Sequence, residues 1–258
     1  MDYQCISVAI DDGMAVITMS RPEVMNALST QARAELTHAF RDLGQKAKVI
    51  VLTGEGKAFC TGQDLGDGGN VANMDLERGL RDEYLPMLNA IRDCPVPTIA
   101  AVNGPAAGAG ASLALALDVV IASENAYFLQ AFSRIGLIPD AGGTYYLPRQ
   151  VGLAKAVGAA LFADKITARQ AEQWGMIWEV TTEDAFEETW KARATHLANG
   201  PTVAYRHIVE AMRASFHNDF ESQFLLEAQL QGKCGQTRDF REGVVAFLEK
   251  RPPHYEGR

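Results

Sequence analysis

Two glycine-rich segments carry residue types that could do chemistry. The first, Gly54-Glu55-Gly56-Lys57-Ala58-Phe59-Cys60-Thr61-Gly62-Gln63-Asp64-Leu65, follows the short apolar run Val49–Thr53. The second, Asn103-Gly104-Pro105-Ala106-Ala107-Gly108-Ala109-Gly110-Ala111, follows Thr98–Val102 and opens a helical pattern. Small residues let backbone N–H groups come close to a ligand. A helix N-terminus adds unpaired N–H donors and the positive end of its dipole. Two such donors converging on one carbonyl would form an oxyanion hole. The same glycines also suit tight packing of a helix onto a sheet, and spacing alone leaves both readings open.

More familiar chemical signatures are absent. Gly108-Ala109-Gly110 has Leu113 where a dinucleotide fingerprint needs its third glycine, and Gly56-Lys57 lacks both the first glycine and the hydroxyl residue of a P-loop. There is no HExxH, and the five histidines are scattered. Cys5, Cys60, Cys94 and Cys234 form no CxxC pair and no metal-ligand spacing with histidine. Reduced thiols in a cytoplasmic protein are the simplest reading. No basic stretch leading into an apolar one follows Met1, so no signal peptide is expected.

The elements that must position the two segments alternate between strand and helix. Ile6–Ile10 and Ala15–Ser20 flank Asp11-Asp12-Gly13 and predict a hairpin. Ser29 is placed to cap a helix over Thr30–Leu43 that Gly44 ends. Residues 66–75, rich in Gly, Asn and Asp, read as a loop. A helix over Leu76–Arg92 follows, stopped by Pro95 and Pro97. Strands are expected at Val49–Thr53, Thr98–Val102, Val119–Ala122 and Ala126–Leu129, with a small-residue helix over Ala106–Leu117. Beyond Gly142 the pattern is mainly helical. The apolar region from Thr98 to Ala122 is broken by Asn103-Gly104-Pro105, and its helical part is too short to span a bilayer. These alternations predict an α/β core, here residues 1–200, with a helical region from 201 to 258.

A chain of 258 residues with 47% hydrophobic and 22% charged residues can bury a core as one large domain. A net charge of −8 argues against a broad nucleic-acid surface while leaving room for a local anion site.

AFCTGQDL (58–65), AAVNGPAAGAGASLALALDVVIAS (100–123) and FSRIGLIPDAGGTYYLPR (132–149) resemble the enoyl-CoA hydratase/isomerase (crotonase) superfamily. Ser20-Arg21-Pro22 with Asn26-Ala27, and the final GVVAFLEKRPPHYEG, fit the same pattern, so the resemblance covers essentially the whole chain. Within the superfamily, AFSRIGLIPDAGGTYYLPR and AEQWGMIWEV are most similar to the ring-1,2-epoxyphenylacetyl-CoA isomerases of aerobic phenylacetate breakdown. The resemblance implies a spiral core of repeated ββα turns with C-terminal helices, assembled as a trimer or a dimer of trimers. It places the two oxyanion N–H groups on Gln63 and Ala109. Lys57, Ala58, Phe247 and Lys250 fall where the family contacts coenzyme A, the last two often from a neighbouring subunit. Coenzyme A would enter as part of the substrate, with no separate cofactor, no metal and no membrane or nucleic-acid partner.

The chain departs from the hydratase pattern at both catalytic glutamates, whose positions fall on Ser112 and Phe132. Neither can act as a general base, and losing such a group typically costs about 10²–10⁴-fold. The remaining carboxylate is Asp140, in Ile138-Pro139-Asp140-Ala141-Gly142-Gly143. It is also a good helix cap, so both roles stand open at this level. Its apolar flanks Ile135, Leu137 and Ile138 would raise its pKa and improve it as a base. One carboxylate suits a proton shift between two carbons, with the thioester oxygen held as an enolate by the oxyanion donors. Phe59, Phe128, Phe132, Tyr145 and Tyr146 are candidates for an aromatic acyl pocket, or ordinary core residues. The expected activity is isomerisation of 2-(1,2-epoxy-1,2-dihydrophenyl)acetyl-CoA to the oxepin-CoA. The alternatives are a general β,γ-to-α,β enoyl-CoA isomerase of fatty-acid oxidation, a hydrolase or dehalogenase using Asp140 as nucleophile, and a silent CoA-binding subunit.

Overall fold

The computed structural model describes residues 2–66 and 75–257. The stretch 66–75, read as a loop, lies outside the described residues except for its two ends. Strands β1 (Ile6–Asp11) and β2 (Met14–Met19) form the expected hairpin. Asp12 (φ 45°) and Gly13 (φ 79°) make its two-residue turn, the left-handed pair that matches strand twist. Helix α1 (Thr30–Leu43) starts where Ser29 accepts from the Ala32 N–H at 3.1 Å and ends at Gly44, as expected.

Strand β3 (Val49–Gly54) begins the parallel part of the sheet. A helical run follows in three pieces: α2 (Leu76–Gly79), a π-helical turn over Leu80–Tyr84, and α3 (Leu85–Arg92). The helix expected over Leu76–Arg92 is therefore present but contains a π-turn, which helical periodicity does not reveal. Strand β4 (Thr98–Val102) has the predicted bounds.

The helix expected over Ala106–Leu117 is shorter. Ala106–Ala107 is instead a strand, β5, paired with β7, and α4 runs only over Ala109–Ala116. Pairing across to Phe128 and Leu129 takes the first two residues out of the helix, and Gly108 (φ 53°) redirects the chain into it.

Strands β6 (Val119–Ser123) and β7 (Tyr127–Leu129) precede helix α5 (Gly143–Phe162). Then come β8 (Ile166–Thr167), α6 (Ala168–Gln173), β9 (Glu179–Thr181) and α7 (Glu183–Ala198). After Pro201 the described chain is helical: α8 (Thr202–Ala214), α9 (Phe220–Gly235) and α10 (Arg238–Glu249).

The main sheet has the order β1-β2-β3-β4-β6-β9, antiparallel at the first pair and parallel elsewhere. A small sheet, β5-β7-β8, stands beside it. This is the expected α/β core with C-terminal helices. Strand β3 is apolar without alternation because both its faces are covered. Ile50 and Leu52 join the large core with Leu36, Met87 and Leu113, while Val49 and Val51 pack against Trp190, Ala194 and Ala198 of α7. No helix among the described residues is long and apolar enough to cross a membrane.

Candidate functional site

The two glycine-rich segments leave the carboxyl ends of β3 and β4, which pair directly through Leu52 and Ala100. Adjacent parallel strands thus deliver both loops to one end of the sheet, where α/β proteins bind ligands. The loops then zip together. The Gly54 N–H donates to Asn103 Oδ1 at 3.2 Å, the Phe59 N–H to Pro105 O at 3.1 Å, and the Ala107 N–H to Cys60 O at 2.9 Å. The approach leaves no room for a side chain at Gly110, where an added Cβ would stand 2.1 Å from Cys60 O. Cys60 is fully buried by this contact, and burial pushes its thiol up to about 12, which removes it as a thiolate nucleophile.

Backbone pairing around Gln63 and Ala109 leaves their N–H groups free. The Leu28 N–H donates to Gly62 O at 2.7 Å and the Asp64 N–H to Leu28 O at 3.2 Å, so the peptides flanking Gln63 are engaged on the Leu28 side. Ala109 is the first residue of α4, while Gly108 O accepts from Ala111 and Ser112. Among the described residues, neither the Gln63 nor the Ala109 N–H donates to a protein acceptor. Gly62, with φ 98°, joins the two: a Cβ there would lie 3.2 Å from the Ala109 nitrogen and 2.9 Å from Ala107 O. Only glycine combines this dihedral with this approach.

Gln63 and Ala109 both line a cavity of about 520 Å³ whose wall also includes Phe132, Tyr84, Leu137 and Asp140. Asp140 does not cap a helix. The N-cap of α5 is Gly142, which makes no side-chain cap bond, and Asp140 Oδ1 is buried without a hydrogen-bond partner. Burial in this apolar wall pushes the carboxyl up to about 6. Glu83, another carboxylate on the wall, is held below its usual range by its hydrogen bonds with the Arg33 guanidinium. The two carboxylates are thus separated by environment, one committed to an ion pair and one free to take a proton.

The two positions where the resemblance would place hydratase glutamates differ in access. Phe132 lines the cavity. Ser112 is fully buried, its Oγ has no partner, and it lies behind the turn at 140–143: a Cβ on Gly143 would be 2.8 Å from it.

The structure brings Gln63, Ala109, Phe132 and Asp140 together and leaves other candidates elsewhere. Phe59 and Phe128 have no exposed surface and sit in the core. Tyr145 faces a different groove, where Arg149 lies 3.7 Å over its ring and His217 approaches its hydroxyl at 3.5 Å. Tyr146 packs edge-on against Tyr145. The aromatic pocket expected from five side chains therefore keeps only Phe132, because strand and helix direction turn the other four away.

Lys57 is exposed, and Ala58 is buried with its carbonyl accepting from Asn26 Nδ2 at 2.8 Å. Phe247 lines a groove among α8, α9 and α10, and Lys250 is exposed in the left-handed cap of α10. None of these four lines the Asp140 cavity of its own chain.

Sequence reasoning passed over Arg33 and Tyr84. Arg33 is buried, bonds Leu28 O at 2.6 Å and Gln63 Oε1 at 3.1 Å, and lies 4.7 Å over the Tyr84 ring. The Tyr84 hydroxyl meets Gln63 Oε1 at 2.6 Å. No local pattern signals this, since the two residues lie in separate helical segments and the π-turn fixes where Tyr84 points. Among the described residues, no three His, Cys, Asp or Glu side chains converge as a metal site.

The sequence pattern of the enoyl-CoA hydratase/isomerase family matches residues 9–258. A Rhodobacter capsulatus protein named "Probable enoyl-CoA hydratase" is 58% identical over the full length of both chains. The 1,2-epoxyphenylacetyl-CoA isomerase of Escherichia coli is 40% identical, covering 96% of this chain and 97% of its own. The crystal structure of an enoyl-CoA hydratase from Bacillus anthracis superposes with a TM-score of 0.91 at 32% identity, covering 99% of this chain and all of the other.

Proposed function

The chain belongs to the enoyl-CoA hydratase/isomerase family, whose members act on CoA thioesters, and from that premise we propose that it isomerises 2-(1,2-epoxy-1,2-dihydrophenyl)acetyl-CoA to the oxepin-CoA. The observation that carries this reading is Asp140: a half-buried carboxylate with one buried, unpartnered oxygen, on the same cavity as Gln63 and Ala109, whose N–H groups are free. The thioester oxygen accepts from those two N–H groups. Asp140 removes a proton from the carbon next to the thioester, and the electron pair moves into the carbonyl as an enolate that the two donors stabilise. The bond between the two epoxide carbons breaks, which expands the ring to the seven-membered oxepin; as the carbonyl re-forms, the enolate's electron pair moves through the conjugated ring to a ring carbon, which takes the proton back from Asp140. Composition is unchanged, so no cofactor beyond the substrate's own coenzyme A is called for.

Water addition fits the site less well. A hydratase needs carboxylates to hold and activate water; here Phe132 occupies one position, Ser112 is sealed at the other, and Glu83 is committed to Arg33. Transposition of a linear β,γ-enoyl-CoA uses the same single base. The Streptococcus mutans protein named trans-2-decenoyl-[acyl-carrier-protein] isomerase, 31% identical over all of both chains, favours keeping that second reading.

We place the protein in the cytoplasm as a homotrimer or a dimer of trimers. Exposed apolar side chains on the C-terminal helices, such as Phe220 and Phe247 at 85% and 82%, support association. Lys57, Ala58, Phe247 and Lys250 are assigned to coenzyme A, the last two acting on a neighbouring subunit.

The test is turnover of three thioesters by the purified protein: the ring epoxide, a linear β,γ-enoyl-CoA and crotonyl-CoA. The epoxide is expected to turn over fastest, with crotonyl-CoA hydration at least about 10²-fold slower. Faster turnover of the linear enoyl-CoA would transfer the assignment to the general isomerase, and dominant hydration would overturn the proton-shift reading.

A further inference from the structure

The Gln63 side chain makes contacts of its own, apart from its backbone N–H. Its Oε1 accepts from the Tyr84 hydroxyl at 2.6 Å and from Arg33 Nη1 at 3.1 Å. Arginine carries donors only, so the amide oxygen must face it and the amide nitrogen must point the other way. Arg33 cannot swing aside. Its side chain is 4% exposed and is held by Leu28 O at 2.6 Å, Thr30 Oγ1 at 3.0 Å and Glu83. Tyr84 is likewise buried and sits at the end of the π-turn. The amide is thus clamped in one orientation by two buried groups.

Clamping leaves Nε2 with two unspent N–H donors. Among the described residues it makes no hydrogen bond, and it is not among the polar atoms sealed from solvent. The residue lines the Asp140 cavity, which has an apolar stretch of wall at Leu65, Leu80, Phe132, Ile135 and Leu137 and is also bordered by Arg78 and Arg134. A fixed neutral donor in an apolar wall selects a ligand with an acceptor at that point, because a ligand lacking one leaves the donor unpaired.

We infer that the Gln63 side-chain amide is a specificity-determining donor for an acceptor oxygen of the acyl group itself, an epoxide, ether or keto oxygen distinct from the thioester carbonyl. The inference rests on reading this cavity as the acyl site. Gln63 would hold the substrate at two oxygens, with its backbone N–H at the thioester and its side chain at the acyl group.

Two stable ligands of matched shape isolate the side-chain contribution. 2-Methoxyphenylacetyl-CoA carries an ether oxygen where 2-ethylphenylacetyl-CoA carries a methylene. Contacts to the thioester and to coenzyme A are common to both and cancel in the ratio of their dissociation constants. Binding is measured by calorimetry to the wild type, to Gln63→Glu and to Gln63→Met. Glutamate keeps an acceptor for Arg33 and Tyr84 but removes the donor, and methionine removes both. The wild-type ratio is expected to favour the ether by at least about fivefold more than either variant does. The same ratio in all three proteins would overturn the inference while leaving the acyl-site reading intact. Failure of the wild type to bind either ligand would overturn the acyl-site reading, and the inference with it.

Discussion

The carbonyl oxygen of Asp140 accepts the Gly143 N–H at 2.8 Å, while the Asp140 carboxylate caps nothing and points one oxygen at no partner. Main-chain bonding closes the turn that leads into α5, so the side chain is released from structural duty. A capping aspartate would be ionised and satisfied by backbone N–H groups, which lowers its pKa. Asp140 shows the opposite shift, up to about 6, from burial.

Replacement of Asp140 by Asn should therefore leave the fold intact and remove the base. Isomerase kcat is expected to fall at least about 10²-fold, with unchanged circular dichroism. Near-normal turnover of the purified variant would take Asp140 out of the mechanism.

The same substitution should stabilise the protein, in a pH-dependent way. A carboxyl whose folded pKa is raised favours the folded state only while protonated, so its contribution is present below the unfolded value near 3.8 and lost as pH rises through about 6. Asp140→Asn is expected to gain on the order of 2 kcal/mol over wild type at pH 8, after allowing for partial solvent screening. The gain should vanish near pH 3.5. Denaturant melts of both proteins at the two pH values measure the difference, and a variant less stable than wild type at pH 8 would contradict the buried, unpaired assignment.

Activity should follow the ionisation of the same group. As a base, Asp140 must be deprotonated in the free enzyme, so kcat/KM is expected to drop on the acid side with a midpoint near about 6 and a slope of one proton. The residual activity of Asp140→Asn should lack that limb. A wild-type profile flat from pH 5 to 8 would argue for another proton acceptor.

Gly62→Ala tests the geometry between the two donors. The added methyl would stand 2.9 Å from Ala107 O and 3.2 Å from the Ala109 nitrogen, at a φ of 98° that alanine resists. Displacing one oxyanion donor is expected to cost about 10²–10³-fold in kcat. Thermal stability should fall as well. A variant with wild-type kcat would show that the Gln63 and Ala109 N–H groups are not the oxyanion donors.

Much of the fold was legible in local patterns. The positive-φ turn of Asp12 and Gly13, the Ser29 cap and the unbroken apolar run of β3 each follow from short-range sterics, capping or two-sided burial. The π-turn at Leu80–Tyr84 and the strand at Ala106–Ala107 were not legible. The first is a change in hydrogen-bond register within an ordinary helical sequence, and the second exists only because Phe128 and Leu129 arrive to pair with it.

The site divides in the same way. By itself the sequence determined two glycine-rich loops, each following a buried strand, a carboxylate at Asp140 and uncharged residues at 112 and 132, since these depend on residue type and order along the chain. Only the tertiary structure decided that Asp140 lines one cavity with Gln63 and Ala109 rather than capping α5. It alone turned Phe59, Phe128 and Tyr145 away and brought Arg33 and Tyr84 onto the Gln63 amide. The direction of a side chain and the partners left for it are set by packing between elements distant in sequence, and no local pattern encodes that packing.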